Sequence, residues 1–338
     1  MRQGHNPHKD LTIEEAFYNH QVVLPVYIPN QEGYFKDSFR ILQLCVESIL
    51  KTVHLKTFIT IVNNGSCTEV RDYLDELFAN KKIHEVIHTD NIGKLNAILK
   101  GLSGNNIELV TIADSDVMFL ENWQSETVNV FNSFPKAGVV GIVPQFRTFG
   151  SFCGNIIVEN LFSKKLKFSA VRDVEALKKF YLSIGWQEDY NKDYLKVTLT
   201  IENNSQTAVV GSGHFVATYK KEIFKEIITY LGYKMGGISE MYLDEACLKF
   251  GLWRLTTEDN YAYHMGNVYE KWMDDTLDSF ENKDVTIPNL TNKIIVKRES
   301  KIGYYLKNIL FTRFFKKRKY KRVFYRFKGM PKEMIKTY

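Results

Sequence analysis

The chain has 338 residues, 44% of them hydrophobic, and a formal net charge of +6. That composition supplies a sizeable core and excludes a disordered chain, and no apolar run approaches the ~18 residues of a membrane span. The charge is uneven: residues 297–338 hold 15 Lys and Arg against 2 acidic residues, and the rest holds 30 against 37.

The opening MRQGHNPHKD lacks the apolar stretch of a secretory signal, and residues 1–20 read as an N-terminal extension. From residue 21 to 118 short apolar runs alternate with helix-like segments. VVLPVYI (22–28) reads as a buried strand, and SFRILQLCVESILKTV (38–53) as an amphipathic helix with Ser38 as its N-cap. TFITIVNNGS (57–66) and IHEVIHT (83–89) read as further strands, TEVRDYLDELFAN (68–80) and NIGKLNAILKGL as helices, and IELVTIADSD as a fourth strand. Such alternation implies an α/β fold with a mostly parallel sheet. Residues 119 to about 207 are harder to read, with a helix near 121–134 and a strand in AGVVGIVPQF. Farther on, 207–231 reads as strand, Gly turn, strand and helix, and 241–266 as a helix followed by a strand ending at His264.

The four cysteines, Cys45, Cys67, Cys153 and Cys247, have no C-x-x-C spacing, which argues against a disulfide framework or a thiolate zinc site and for a reducing cytoplasm. Neither G-x-G-x-x-G nor a G-x-x-x-x-G-K-[ST] P-loop is present, so hydride transfer and P-loop chemistry lose their main support. Ligands of an open α/β sheet bind beyond the strands' carboxyl ends, where this chain places Tyr27, Asn63 and Asn64, Asp90 and Asn91, and Asp114 and Asp116. Carboxylates on alternate residues repel each other and need a partner. Magnesium or manganese would serve, taking one or two carboxylates while phosphate and water complete its shell. The alternative is a helix-capping Asp114 beside a solvated Asp116.

The ordered series LPVYIPN, SFRILQLCVESILK, ITIVNNGS, DNIGKLNAIL and VTIADSDVMF resembles the nucleotide-binding half of family 2 glycosyltransferases. The resemblance implies a GT-A fold: a Rossmann-like, mostly parallel central sheet flanked by helices, here with a C-terminal basic helical tail. It implies a nucleotide-sugar-binding half (21–118), an acceptor half with the catalytic base (119–275) and a basic aromatic tail (276–338). Pro25 and Tyr27 would line the base pocket, and Asn64 stands where the family usually has an aspartate. Ile28 replaces the family's usual Asn. Lys94 would approach the diphosphate, Asp114 the ribose or metal, and Asp116 the metal, a divalent Mn2+ or Mg2+. YLDEACLKFG resembles the segment of the general base, giving Asp244, expected in the helix's opening turn, with Glu245 as the alternative. His264 resembles a further metal ligand, and Gly213 and His214, with Gly211, a turn near the donor sugar.

The implied activity is metal-dependent, inverting sugar transfer from a nucleoside diphosphate sugar, UDP-linked by resemblance, to a lipid-linked or surface-glycan acceptor. A sugar nucleotidyltransferase would want a Gly-rich basic loop that PVYIPNQEGYFKDS does not supply; a non-catalytic nucleotide-sugar-binding relative is the other alternative. The tail interleaves Phe and Tyr with Lys and Arg, which fits an anionic membrane surface rather than nucleic acid, since no nucleic-acid motif accompanies it; the alternative is a solvated helical tail packed on the body. The expected location is cytoplasmic, peripheral on the inner face of the membrane.

Overall fold

Every residue from His20 to Val26 is buried, as befits a strand covered on both faces, and this run forms β1 (His20–Val26) within a ten-stranded sheet. The computed structural model describes residues 17–203, 206–225, 230–232, 234, 237–281, 285–291 and 297–338, with residues 4, 5 and 9. After β1 come α1 (Ser38–Thr52), β2 (Thr57–Asn64), α2 (Thr68–Ala79), β3 (Glu85–Thr89), α3 (Lys94–Leu102) and β4 (Leu109–Ala113). Then follow β5 (Val117–Phe119), α4 (Trp123–Ser133), β6 (Ala137–Gly141), α5 (Gly154–Glu159), β7 (Leu166–Ala170), α6 (Val174–Ser183) and β8 (Val197–Asn203). The next elements are β9 (Gln206–Val210), β10 (Val216–Lys220), α7 (Gly237–Ala246), β11 (Trp253–Thr257), β12 (Ala262–His264) and α8 (Lys271–Asp278). The described chain ends with α9 (Lys301–Tyr304), α10 (Phe311–Phe315) and α11 (Arg318–Phe327).

The sheet order is β3-β2-β1-β4-β10-β6-β11-β9-β8-β7. Strands β3, β2, β1, β4, β6, β11 and β8 point one way, and β10, β9 and β7 oppose them. The mostly parallel α/β sheet expected from residues 21–118 is therefore present, extended by an antiparallel edge. The second sheet is a ribbon of β5 and β12 alone.

Several local expectations change. The N-cap of α1 is Asp37, not Ser38; its Oδ2 accepts the Tyr269 N–H at 3.1 Å instead of capping the helix. Residues 119–207 are more regular than expected. The helix expected within 207–231 is a 3-10 turn at Lys221–Phe224, and 226–229 lie outside the described residues, as do most of residues 1–16 of the N-terminal extension. Between α7 and His264 stand two strands in different sheets, not one. Because α7 begins at Gly237, Asp244 sits in its last turn rather than its first.

A buried polar chain ties β1 to its neighbours. His20 Nε2 lies 2.7 Å from Thr111 Oγ1, which lies 2.7 Å from Thr218 Oγ1, and Gln124 Nε2 reaches His20 Nδ1 at 3.1 Å. Gln124 Oε1 accepts the His54 N–H at 2.9 Å, so its amide donates to His20 Nδ1, and the neutral imidazole donates through Nε2. Burial, with His54 nearby, holds the His20 pKa down to about 3, and burial, with Lys56, holds His54 at about 4. Both groups are neutral in the fold but protonate near pH 6.5 when unfolded. Their contribution is present above pH 6.5 and is lost as pH falls, at about 1.4 kcal/mol per pH unit for each. Urea unfolding between pH 6.5 and 5.5 will show that slope, and His20→Gln will make it shallower; identical slopes would contradict the assignment.

Candidate functional site

The carboxyl ends of β1, β2 and β4 open into a cleft of about 1220 Å³. Pro25, Tyr27, Asn64, Asn91, Lys94, Asp114 and Asp116 line one part of it; Lys179, Ser183, Tyr263, His264 and Trp272 line another. It is large enough for a nucleotide-sized ligand and mixes apolar walls with converging charges.

Asp114 follows directly on β4, its N–H bonded to the Phe215 carbonyl at 2.8 Å. Its Oδ1 lies 2.5 Å from Lys94 Nζ. Lys94 is the first residue of α3, where the helix dipole disfavours a cation, so the Asp114 carboxylate offsets a charge placed against local preference. The α3 N-terminus and Lys94 together form an anion-attracting corner. Gly65, at φ 91°, lets the turn after β2 pass close beneath this loop: a Cβ there would stand 2.8 Å from the Asn91 backbone nitrogen.

Asp116 is held differently. Antiparallel pairing of β5 with β12 sets His264 opposite Val117, and the Met265 N–H bonds the Asp116 carbonyl at 2.8 Å. His264 Nε2 then stands 3.4 Å from Asp116 Oδ2. Ser183 Oγ donates to the Phe180 carbonyl at 2.7 Å, which uses its one hydrogen, and lies 2.9 Å from His264 Nδ1. His264 therefore donates through Nδ1 and turns the Nε2 lone pair toward the Asp116 carboxylate. Asp116 Oδ1 is buried without a hydrogen-bond partner. Burial pushes the Asp116 carboxyl above the usual range; His264 and Lys94 pull it down and Asp114 pushes it up. Two acceptors face each other with a third oxygen unsatisfied, an arrangement that a cation would complete. Among the described residues no group of three or more His, Cys, Asp or Glu side chains is gathered for a metal.

Tyr27 is exposed at the cleft, edge-on to Phe35 at 6.1 Å between ring centres. Asn64 also lines the cleft, but its Oδ1 accepts the Ile92 N–H at 2.9 Å, so mainly its amide hydrogens remain for a ligand. Gly213, His214, Asp244 and Glu245 do not line the cleft. Asp244 Oδ1 pairs with buried Arg254, and its Oδ2 lies 3.6 Å from His214 Nδ1. A carboxylate in the last turn of α7 opposes the helix dipole, and Arg254 offsets it.

The glycosyl transferase family 2 model matches residues 34–181. Over that segment the chain is similar to family 2 glycosyl transferases. The observed α/β architecture, a mostly parallel central sheet flanked by helices, is the one that resemblance implies. No curated protein sequence matches the chain. Similar solved structures include a mannosyltransferase from Pyrobaculum calidifontis in complex with GDP-Man and Mn2+, at 13% identity and TM-score 0.43, over 73% of this chain and 56% of that one. A further one is S. aureus TarS 1–349 with UDP-GlcNAc, at 11% identity and TM-score 0.44, over 79% of this chain and 68% of that one. GalNAc-T7 with UDP, GalNAc and Mn2+ aligns at 14% identity and TM-score 0.46, over 75% and 45%. The chain thus spans little more than half of the mannosyltransferase it resembles.

The matched residues include Asn64, Lys94, Asp114 and Asp116, whereas Pro25, Tyr27, Gly213, His214, Asp244, Glu245 and His264 lie outside them. Sequence reading missed Ser183, Lys179 and Arg254. Lys179 Nζ lies over the rings of Tyr263 and Trp272, 5.0 and 5.5 Å from their centres, a contact between distant segments with no sequence signature. Arg254→Met strands the Asp244 carboxylate and should cost about 3–5 kcal/mol in urea unfolding. Adding Asp244→Leu should recover part of that loss. Equal stabilities of wild type and Arg254→Met would show that the pair does not hold α7.

Proposed function

We propose that this chain transfers a sugar from a nucleoside diphosphate sugar, UDP-linked by preference, to an acceptor hydroxyl on a lipid-linked or surface glycan, with inversion at the anomeric carbon. The observation that carries the reading is the facing of His264 Nε2 and Asp116 Oδ2 at 3.4 Å beside an unpartnered Asp116 Oδ1, two residues from Asp114 of the Lys94–Asp114 pair. Asp116 and His264 would hold a divalent ion, Mn2+ or Mg2+, which when bound neutralises charge developing on the departing diphosphate.

Lys94 and the N-terminus of α3 attract the diphosphate from the other side, and Asp114 keeps the Lys94 ammonium aimed into the cleft. The Tyr27 ring stacks against the base, Pro25 shapes the pocket floor, and the Asn64 amide donates to the base edge. The base that takes the acceptor's proton is assigned to Asp244, with Glu245 as the alternative. His214 lies between Gly213 and Phe215, whose carbonyl bonds Asp114, so the Asp244–His214 pair adjoins the end of β4. The mannosyltransferase with GDP-Man and Mn2+ and GalNAc-T7 with UDP and Mn2+ are consistent with this assignment of donor and metal. Peripheral attachment of the basic tail to an anionic membrane would bring a lipid-linked acceptor within reach.

Calorimetric titration of UDP and GDP with and without Mn2+ tests the reading. Binding should need the metal, and Asp116→Asn should abolish the metal-dependent binding. Ser183→Ala frees the His264 ring and should weaken Mn2+ binding by about 10–100-fold at unchanged thermal stability, with Ser183→Thr restoring it. Metal-independent binding, with no transfer from any donor in a nucleotide-sugar panel, would favour a non-catalytic binding protein.

A further inference from the structure

The C-terminal segment carries apolar side chains on its outer face as well as on its buried one. A continuous helical rod, α9, a π-helical stretch (Tyr305–Leu310) and α10, lies along the body with Ile302, Tyr305, Leu306 and Ile309 exposed. Those positions share one face by helical spacing, and Ile302 is 75% exposed. The opposite face carries Lys307, whose ammonium is turned toward the body between Glu159 Oε1 at 2.7 Å and Glu299 Oε2 at 2.9 Å. In a helix packed on a soluble core these positions would be exchanged.

The rod's orientation is fixed by the body. A Cβ on Gly154 would stand 2.2 Å from the Lys307 carbonyl oxygen, so α5 and the rod touch backbone to backbone. Ser300 caps the rod by accepting the Gly303 N–H at 3.0 Å. The following helix, α11, buries Phe324 and Tyr325 and exposes Tyr320, Val323 and Phe327, again on a shared face. Phe327 meets the exposed Phe162 ring at 6.2 Å, and Phe314 meets Tyr320 at 6.0 Å, which links exposed apolar groups of the tail with one on the body.

Charge decides the occupant. Between Ser300 and Glu333 the chain has 12 Lys and Arg and no acidic residue. A second copy of the chain would bring the same positive charge against it, and nucleic acid gives no reason for an aliphatic stripe. An anionic bilayer accepts both: aliphatic groups enter the acyl boundary, Tyr rings sit among headgroups, and Lys and Arg reach the phosphates.

We infer that the outward face of the 301–327 helices, centred on Ile302, Tyr305, Leu306 and Ile309, is a preformed docking surface for an anionic lipid bilayer. The Lys307–Glu159–Glu299 contacts hold it apolar side outward. This deepens the tail attachment proposed above and rests on it, while standing apart from the transfer chemistry. Truncating the tail would not test it, because Phe315, Phe324, Tyr325, Met330, Met334 and Tyr338 are part of the core.

The test is sedimentation of the full chain with phosphatidylcholine vesicles, with and without phosphatidylglycerol. Wild type should bind only the anionic vesicles, and more weakly as salt rises. The triple variant Ile302→Ser, Leu306→Ser, Ile309→Ser should keep the wild-type circular dichroism and melting temperature yet lose at least about tenfold in vesicle affinity. Lys316→Gln with Lys317→Gln and Lys319→Gln should weaken binding and flatten its salt dependence. Wild-type affinity in the triple variant would overturn the docking face while leaving attachment by charge alone. No binding of wild type to anionic vesicles would overturn both. A wild-type dimer in light scattering that the triple variant dissociates would assign the face to a second copy.

Discussion

Two carboxylates two residues apart at the end of a buried strand repel each other, and the site follows from the separate partner that the fold brings to each. Asp114 takes Lys94, drawn from the start of a neighbouring helix 20 residues earlier in the sequence. Asp116 takes His264, brought across by a two-stranded ribbon whose register sets the imidazole opposite Val117. The first pair is satisfied. The second presents a lone pair to a carboxylate and leaves one oxygen buried without a partner, which a protein tolerates where a ligand completes the set.

The same logic recurs at Asp244. Its place in the last turn of α7 is electrostatically unfavourable, and Arg254 from β11 supplies the missing charge. One carboxylate oxygen is thereby committed to holding the helix, and the other remains beside His214.

The parallel half of the sheet was legible because β1, β2 and β4 are apolar runs ending in polar residues, and α1 and α3 carry helical periodicity between them. Asn64, Asp114 and Asp116 were found by their strand-end positions and Lys94 by the family resemblance, and the structure brings all four to one cleft. What escaped was long-range. The antiparallel edge β9-β8-β7 lies outside the regular strand–helix alternation of residues 21–118. Ser183 acts through a single hydrogen bond to a residue 81 positions away. The tail was legible in composition alone: charge and aromatic content suggested a surface role, but only three-dimensional placement shows Lys307 turned inward and Ile302, Leu306 and Ile309 turned out. Its buried aromatics make it an integral part of the core and an outward-facing surface at once.

Asp116 and His264 are proposed as two halves of one cation site. Crystals grown with Mn2+ and a nucleoside diphosphate, measured at the manganese absorption edge, test it directly. The account predicts one anomalous peak between the Asp116 carboxylate and His264 Nε2, lost in His264→Ala. A diphosphate bound at Lys94 with no manganese at Asp116, or with manganese at a site that survives His264→Ala, would contradict it.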